Sequence, residues 1–527
     1  MRNDGAARLG LPIGSERGGA LLMDGPNLVL DFAQIRSDAR SGKLSIEDLL
    51  DVFDKLRQTI RRLEADKRRL TQRLSQYEPQ PAPGATTPTV NPPTPNGSYS
   101  VDAENQRRQG RRRRKKKSPG RIPTELKFAE ADQLQDIYPA GVRRADCQLV
   151  RERAVWRLLN NQAVRVGYRI FAGPDGKEPR IPGVTPRCEY GLEILVVLAF
   201  LVYLIGISLD KACEVLGFFC QLPLSKSQAD ALLRQLANHW EDEYDTLCEL
   251  IAHAAIVYMD ETGWKVGNEK CSLWAFASQL HRVFLFGCHK DDATLDAMLP
   301  PDVFDGIGVS DDAAVYANRF TQAQKCWAHL LRKAIKLAMM YPDEAKYQRF
   351  LDSLLEIFHD GKRSAADGRL GETGRQQRVA ELEGRLSELL QPYPCETTPE
   401  MAPHECDFIK LVNELGRLML AEELFTFVLE PEVEATNNQS ERNLRSPAQD
   451  RKAGRTNKTA KGAHRRSVIV SVLQSLRANL KNFSLATVVE ETGRWMKEGL
   501  SLFAEQWQKL QEEEKARAAE AATATSG

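Results

Sequence analysis

At 527 residues the chain is longer than one hydrophobic core normally supports, since single cores stop growing at roughly 250–300 residues, and several domains are expected. Its 73 Lys and Arg residues nearly balance its 72 Asp and Glu residues, so only local clusters of charge can indicate a partner. The 10 cysteines include no CxxC pair, which argues against a disulfide framework and indicates a reducing, cytoplasmic setting.

The N-terminal region predicts an oligomer. Residues 1–45 are rich in glycine, show little periodicity and lack the apolar core of a signal peptide, while Met23 offers an alternative start. From Leu49 to Tyr77 apolar residues alternate four and three apart, with Lys67 at the one missing position, which is the seam of a coiled coil. We predict that residues 46–78 pair in parallel and make the chain a homodimer or a higher oligomer. An amphipathic helix packed on its own chain is the alternative.

Residues 79–121 are predicted to be an extended, disordered linker. Its first half is rich in Pro and Thr, and residues 107–121 carry ten basic residues and no acidic one. Like charges at this density repel one another unless a polyanion neutralises them, which favours contact with DNA phosphates over a solvated tail. The residues predicted to make this contact are Arg111, Arg112, Arg113, Arg114, Lys115, Lys116 and Lys117.

Residues 122–245 are predicted to form a helical domain. The run 194–209 is uncharged over 16 residues, which is shorter than the ~20 of a membrane-spanning helix, so we expect a buried helix and no membrane contact. Serine N-caps precede two short helices predicted at 209–216 and 226–240. Such a pair is typical of a helix-turn-helix DNA-binding domain, although many helical domains without DNA contacts also contain one.

Residues 246–335 are predicted to form the first part of an α/β core. The apolar run AAIVYM predicts a strand that ends at Asp260, and SLWAFA and RVFLFGC predict a hairpin. A short helix follows, and GIGVS predicts a small strand that ends at Asp311. Three antiparallel strands, a helix and a fourth strand form the order of an RNase H-like sheet, in which the two Asp residues project from neighbouring strands.

Carboxylates at adjacent strand ends suit a divalent metal site. Two Mg²⁺ or Mn²⁺ ions roughly 3.5–4 Å apart need several oxygen ligands that are held rigidly. Either Asp taken singly is also typical of a turn, which is the alternative interpretation.

The segment after Asp311 places Cys326 and His329 three residues apart, as in half of a zinc site. Zinc is not predicted, because no second ligand pair follows at a suitable spacing. We expect Cys326 to pack in the core, and His329 and Arg332 to contact DNA. Residues 336–430 are helical and charged and are predicted to form a helical insertion.

Residues 431–510 are predicted to complete the core and to carry a basic block. Glu441 is the only acid between Glu434 and Asp450, so it suits a third metal ligand, with a salt-bridge partner as the alternative. Cations around it are expected to hold DNA phosphates. These predicted DNA contacts are Arg442, Arg445, Arg451, Lys452 and Arg455. Residues 511–527 are predicted to be a tail.

Four motifs in the order DETGW, SDDAAVY, CWAHLLRK and NNQSERNLR resemble the successive blocks of the insertion sequence 66 family of bacterial transposases, over residues 186–503. The resemblance implies that Asp260, Asp311 and Glu441 form a DDE triad that is both catalytic and metal-binding, with two Mg²⁺ or Mn²⁺ ions. It also implies double-stranded DNA, as element ends and as target, and small accessory proteins as partners. The family's Cys-rich zinc segment has no counterpart, since residues 122–190 contain only Cys147 and Cys188.

These predictions describe a multidomain α+β protein with an RNase H-like α/β catalytic core, a helical insertion, an N-terminal coiled coil and a helix-turn-helix-like domain. The predicted function is that of a cytoplasmic, nucleoid-associated DDE transposase, which cleaves element ends and transfers the strands to target DNA. The alternatives are a domesticated, non-catalytic DNA-binding protein and an RNase H-like nuclease or resolvase.

Overall fold

A computed structural model describes residues 122–524. The predicted coiled coil at 46–78, the linker at 79–121 and the basic residues Arg111 to Lys117 lie outside the described residues. Within the described part, 15 helices and two mixed sheets form a mixed α+β architecture, in agreement with the predicted class.

A three-stranded sheet precedes the helical domain, in a region where no sheet is predicted. Helix α1 (Thr124–Ala129) comes first. The sheet consists of strands β1 (Gln133–Ile137), β2 (Gln148–Leu159) and β3 (Gln162–Ala172), in the order β1-β3-β2. Strand β3 pairs in parallel with β1 and antiparallel with β2. The turn between β2 and β3 is Asn160 and Asn161, both with positive φ, which is typical of a tight hairpin. That Asn-Asn pair is the sequence signal for this hairpin.

Four helices follow the first sheet. They are α2 (Leu192–Ala199), which continues as a π-helical turn (Phe200–Leu204), α3 (Leu209–Cys220), α4 (Lys226–His239) and α5 (Glu241–Ala252). The predicted caps are confirmed, since Ser208 accepts a hydrogen bond from the Lys211 amide and Ser225 forms a capping box with Gln228. Helix α3 extends four residues beyond its predicted end and stops at Gln221, which has a left-handed backbone. None of the helices between residues 122 and 524 has the length and hydropathy needed to cross a membrane.

The second sheet has five strands. Its elements are β4 (Ile256–Val266), β5 (Glu269–Ala277), β6 (Arg282–Cys288), helix α6 (Asp292–Met298), β7 (Ile307–Ser310) and β8 (Gln322–Lys325). The strand order is β6-β5-β4-β7-β8, with antiparallel pairing from β6 to β4 and parallel pairing from β4 to β8. The four predicted strands are confirmed, and β8 is an additional one.

Helices account for the remaining chain. They are α7 (Trp327–Met340), α8 (Ala345–Ala366), α9 (Glu372–Leu390), α10 (Pro403–Leu420), α11 (Thr426–Leu429), α12 (Asn438–Lys452), α13 (Ala460–Asn479), α14 (Leu485–Glu498) and α15 (Leu502–Ala524). The segment predicted as a helical insertion therefore consists of helices, and most of the predicted tail belongs to α15.

The two faces of the second sheet border different hydrophobic clusters. Val257 and Met259 of β4 belong to a cluster that also contains residues of α2 to α5, α13 and α14. Tyr258, between them, belongs to a cluster with Val309 and residues of α7 to α11. Because side chains alternate along a strand, one face of β4 is directed to the helical region before it and the other to the helices after β8.

The free edge of the sheet is closed by helix α13. The hydroxyls of Ser467, Ser471 and Ser475, spaced four residues apart, each accept a backbone N–H from β6 at 2.9 Å. These serines satisfy donors that an edge strand would otherwise expose to another chain. The sheet that carries the candidate site is therefore supported along the whole of β6.

Candidate active site

The pairing register of the sheet places Asp260 and Asp311 at equivalent positions. Strand β4 pairs with β7 in parallel, and the last matched residues are Tyr258 and Val309. Each Asp lies two residues beyond its matched residue. Both therefore follow the paired segment at the same end of neighbouring strands, as predicted from the sequence.

One detail of the prediction is wrong, because β4 does not end at Asp260. The strand continues to Val266 and pairs antiparallel with β5 along that whole segment. The polar residues after Asp260 conceal this continuation, but Trp264 is buried and its indole N–H donates to the Asn457 side chain at 3.0 Å. Asp260 therefore lies within the segment of β4 that pairs with β5, and two residues beyond the segment of β4 that pairs with β7.

Alternation along β4 separates Asp260 from its neighbour Glu261. Asp260 has the same parity as Tyr258 and faces the side of the sheet that carries α7 to α11. The Glu261 side chain is nearly buried on the other side, where the Lys290 ammonium and the Tyr316 hydroxyl bind its carboxylate. Glu261 is thus a structural acid.

Asp311 and Asp312 follow the end of β7 and bind different partners. The Asp312 carboxylate binds the Arg417 guanidinium of α10, whereas the Asp311 carboxylate accepts the Ala313 amide at 3.0 Å. Asp312 therefore connects the sheet to the helices that follow it.

Asn437 places the third predicted acid close to the first two. Its side chain is fully buried and donates to the Met259 carbonyl at 2.6 Å, next to Asp260 on β4. Its backbone N–H donates to the Cys326 sulfur at 3.1 Å, next to the start of α7. Helix α12 begins at the following residue, so Glu441 lies in its first turn, beside both β4 and α7.

The three acids are close enough to influence one another electrostatically. Burial raises the pKa of Asp260 to about 7, and the negative charges of Glu261, Asp311 and Glu441 act in the same direction. The Glu261 amide, which donates to the Asp260 carboxylate at 2.9 Å, opposes the shift. Within residues 122–524 no cationic side chain forms an ion pair with Asp260 or Asp311. Among the described side chains, Asp260 and Asp311 therefore lack a directly bound counter-charge, unlike Glu441.

Helix α7 supplies two basic side chains to Glu441. Arg332 donates to both carboxylate oxygens at 3.0 Å, and His329 Nε2 lies 3.7 Å from one of them. The structure places both residues around the third acid, and their predicted contact with DNA remains a prediction. The salt-bridge interpretation of Glu441 and its position beside Asp260 are thus both compatible with the geometry.

A buried lysine beneath Asp311 was not predicted. Lys325 is 1% exposed at the end of β8, and its ammonium donates to the Ser310 hydroxyl at 3.3 Å. Burial lowers its pKa, while the negative charges of Glu423, Asp312 and Asp311 oppose that shift. The surrounding sequence, TQAQKC, contains no apolar pattern that would have marked this lysine as buried.

The basic block divides into an exposed part and an internal part. Arg442, Arg445 and Lys452 are exposed on α12, and none of them forms an ion pair within the described part of the chain. Arg451 instead donates to the Thr262 hydroxyl and the Gly263 carbonyl of β4. Arg455 is also exposed, and its guanidinium lies 3.7 Å from Asp450. Four of the five cations predicted here to contact DNA are thus exposed, and their contact with DNA remains a prediction.

The end of the block contributes to the core. Arg466 is 6% exposed, binds the 4% exposed Asp450, and lies over the aromatic rings of Tyr203, Trp264 and Phe286. A guanidinium stacks on aromatic faces while its N–H groups bind a carboxylate, so this arginine joins α13 to β4 and β6.

The predicted recognition helix α4 has few free cations. Lys226 binds Asp210 of α3, and Arg234 binds Asp230 within α4, each through contacts of 2.7–2.9 Å. Arg465 of α13 also binds Asp230 at 2.8 Å. These pairs attach α4 to its neighbours, and its use in DNA binding remains a prediction.

The middle of the chain matches a known protein family. Residues 187–465 match the sequence model of the family described as "Transposase IS66 family", a segment that includes Asp260, Asp311 and Glu441. The match identifies a transposase, a class of proteins that act on DNA. Because it covers more than half of the 527 residues, the chain belongs to the IS66 family of transposases.

The matched segment begins before α2 and ends within α13, so it is shorter than the predicted resemblance, which extends to Phe503. The first sheet and helices α14 and α15 lie outside it. No curated protein matches the chain.

Proposed function

We propose that this chain is a DDE transposase that cleaves DNA at the ends of its insertion sequence and joins the freed 3′ ends to target DNA. Membership of the IS66 family supports the reaction class. The observation that carries the residue assignment is the convergence of Asp260, Asp311 and Glu441 at one end of strands β4 and β7.

The strand order is also compatible with an RNase H-like core. Three antiparallel strands are followed by a helix and by two parallel strands, and the first and fourth strands are neighbours at the centre. In this proposal β4 and β7 provide the first two acids, and α12 provides the third after the intervening helices.

The acid cluster suits a hard divalent cation such as Mg²⁺ or Mn²⁺. Such ions prefer carboxylate oxygens, and burial together with the nearby acids Glu261, Asp311 and Glu441 raises the pKa of Asp260. Asp260, Asp311 and Glu441 are the residues that would hold the metal. When bound, two ions of this kind promote in-line displacement at phosphorus by stabilising the attacking and leaving oxygens.

The remaining residues of the site position these acids and the DNA. The Glu261 amide orients the Asp260 carboxylate, and Asn437 fixes the start of α12 against β4. Arg332 holds both oxygens of Glu441 before substrate binds. Arg442 and Arg445 are exposed on α12, close to Glu441 in the chain, and phosphates of the substrate would neutralise their charges there.

A strand-transfer assay tests the proposal against its alternatives. DNA flanking the gene is first sequenced to identify inverted repeats, and these ends are then incubated with the full-length chain, a target plasmid and Mg²⁺. We expect 3′-end cleavage followed by covalent joining to the target. Cleavage without joining would indicate a nuclease or resolvase, and binding without cleavage would indicate a non-catalytic DNA-binding protein.

A further inference from the structure

The N-termini of α7 and α12 bring together a thiol, an imidazole and a carboxylate. Cys326 is the N-cap of α7, His329 lies in its first turn, and Glu441 lies in the first turn of α12. One ligand atom of each residue lies within 4.8 Å of those of the other two. A side-chain group of this size can close around one cation after small rotations.

His329 has no hydrogen-bond partner for its ring within the described residues. Its Nδ1 is buried without a partner, and its Nε2 is 3.7 Å from Glu441, which is too long for a hydrogen bond. Buried ring nitrogens are normally satisfied, so the unpaired Nδ1 of an imidazole beside a thiol and a carboxylate is an independent indication of a missing ligand.

The Cys326 sulfur is held in place by hydrogen bonding, and because burial raises the pKa of its thiol, a metal that binds there would displace the thiol proton. Its side chain is 1% exposed, and its sulfur accepts the Asn437 backbone N–H at 3.1 Å. Hydrogen bonds from the surroundings to a ligating atom are typical of metal sites, because they orient the ligand. The sulfur also lies at the start of a helix, where a negative charge is favoured.

This donor set selects a different metal from the one expected at Asp260 and Asp311. A thiolate and an imidazole suit Zn²⁺, whereas Mg²⁺ prefers oxygen ligands alone. Three protein ligands with one open position satisfy tetrahedral zinc. The third donor, Glu441, lies far along the chain from Cys326 and His329, so the spacing of ligands in the sequence does not reveal this group.

We propose that Cys326, His329 and Glu441 bind a soft divalent cation such as Zn²⁺, and that its binding withdraws the Glu441 carboxylate from Asp260 and Asp311. Arg332, which now binds Glu441, would release it to the metal. The cation thereby switches the enzyme off by occupying one of its three acids. The binding part stands on the geometry alone, and the inhibitory part rests on the function proposed above.

Cobalt tests the binding part, because Co²⁺ replaces Zn²⁺ and absorbs light when a thiolate binds it. We expect the full-length chain to show thiolate-to-cobalt absorption that saturates at about one ion per chain and disappears when Zn²⁺ is added. Cys326→Ala and His329→Ala should each lose this absorption. The matched control is Cys188→Ala, which removes another buried thiol and should retain it. Thermal melting verifies that each variant is folded.

Two results would overturn the proposed site. One is a folded wild-type chain that shows no thiolate-to-cobalt absorption, and the other is undiminished absorption in Cys326→Ala. The partly exposed His329 provides the second variant, so the test does not depend on the tolerance of a buried cysteine to substitution.

The inhibitory part is tested by DNA cleavage in Mg²⁺ with and without one equivalent of Zn²⁺. We expect Zn²⁺ to reduce the initial rate of the wild type at least tenfold, and to change the rate of Cys326→Ala by less than twofold relative to the same variant without Zn²⁺. Cobalt binding without zinc inhibition, together with active Glu441→Gln, would refute Glu441 as a catalytic acid and leave the site intact. No cobalt signal, with inactive Glu441→Gln, would refute only the site.

Discussion

Asp260 and Asp450 show two ways in which this fold places a carboxylate away from water. Burial raises the pKa of both groups. At Asp450 the Arg466 and Arg455 guanidiniums oppose the shift, whereas at Asp260 further acids reinforce it. The first arrangement balances its charges and holds the fold together. The second has no ion pair of its own within the described residues, at the position where the proposed reaction requires a metal, so a direct ion pair distinguishes Asp450 from Asp260.

The largest expected effect comes from breaking the balanced pair. Arg466→Met leaves the Asp450 carboxylate buried without its main partner, beside Gly206, where even a methyl group would lie 2.5 Å from it. Breaking a buried ion pair typically costs about 3–5 kcal/mol, so we expect a clear decrease in the free energy of unfolding, measured by urea denaturation.

The neighbouring Arg465→Met is the control for this prediction. Its ion pair with Asp230 is more exposed, so we expect a smaller loss of stability. If Arg466→Met were as stable as the wild type, the Asp450 pair would not support the fold.

Neutralising Asp260 should raise the free energy of unfolding, in contrast to Arg466→Met. Above pH 7 Asp260 is ionised in both the folded and the unfolded state, and burial and the nearby negative charges destabilise the folded state. We therefore expect Asp260→Asn to raise the free energy of unfolding at pH 8 by about 2 kcal/mol without Mg²⁺, a discounted value at 1.36 kcal/mol per pKa unit. Denaturation of both proteins across pH measures the difference.

The pH dependence provides the control. Between about pH 4 and pH 7 folded Asp260 retains a proton that the unfolded chain has lost, so wild-type stability rises as pH falls through this window. The advantage of Asp260→Asn should shrink over the same window and vanish near pH 4. A constant advantage at all pH values would contradict the raised pKa.

Exposed cations of α12 should affect DNA binding and leave stability unchanged. Replacing Arg442 and Arg445 by Gln removes two charges that have no ion pair in the described part of the chain. We expect about tenfold weaker DNA binding and a salt dependence flatter by about 2, since each lost phosphate contact contributes roughly 0.9 to the slope. Fluorescence anisotropy at several salt concentrations measures both quantities.

The double variant Lys481→Gln with Lys497→Gln is the control, because it removes two exposed cations outside the block. An equal change in the salt slope for both double variants would show that α12 has no special role in binding.

Arg332→Gln is expected to have a small effect on stability. Its pair with Glu441 is half exposed, so we expect the free energy of unfolding to change by less than about 1 kcal/mol. Arg332 competes with a metal for the Glu441 carboxylate, so the Mg²⁺ concentration for half-maximal cleavage should fall in this variant. A higher Mg²⁺ requirement would instead show that Arg332 positions Glu441 for the metal.

Local patterns in the sequence predict much of the site. An apolar run followed by an acid locates Asp260 and Asp311, because strand ends and strand pairing depend on short segments. The caps at Ser208 and Ser225 are local for the same reason, since each involves hydrogen bonds within three residues.

Contacts between distant segments could not be predicted in this way. Arg466 and Lys325 each follow polar residues in the sequence, and their burial depends on Asp450 and Ser310 in other elements. The same limitation concealed the approach of Glu441 to Cys326, which depends on the hydrogen bond from Asn437. A charged residue in the sequence therefore cannot be assigned to the surface until its bonding partners in other elements are known.

The most direct test of the account is strand cleavage and transfer by variants of the three acids, with Asp312→Asn as the matched control. We expect Asp260→Ala, Asp311→Ala and Glu441→Gln each to abolish both steps in Mg²⁺ and in Mn²⁺ while DNA affinity stays within about threefold, because the arginines and lysines provide most of the ground-state affinity. Asp312→Asn, whose carboxylate binds Arg417, should remain active. Robust strand transfer by Glu441→Gln would show that the third acid is misassigned, and retained activity in Asp260→Ala would contradict the proposed metal site as a whole.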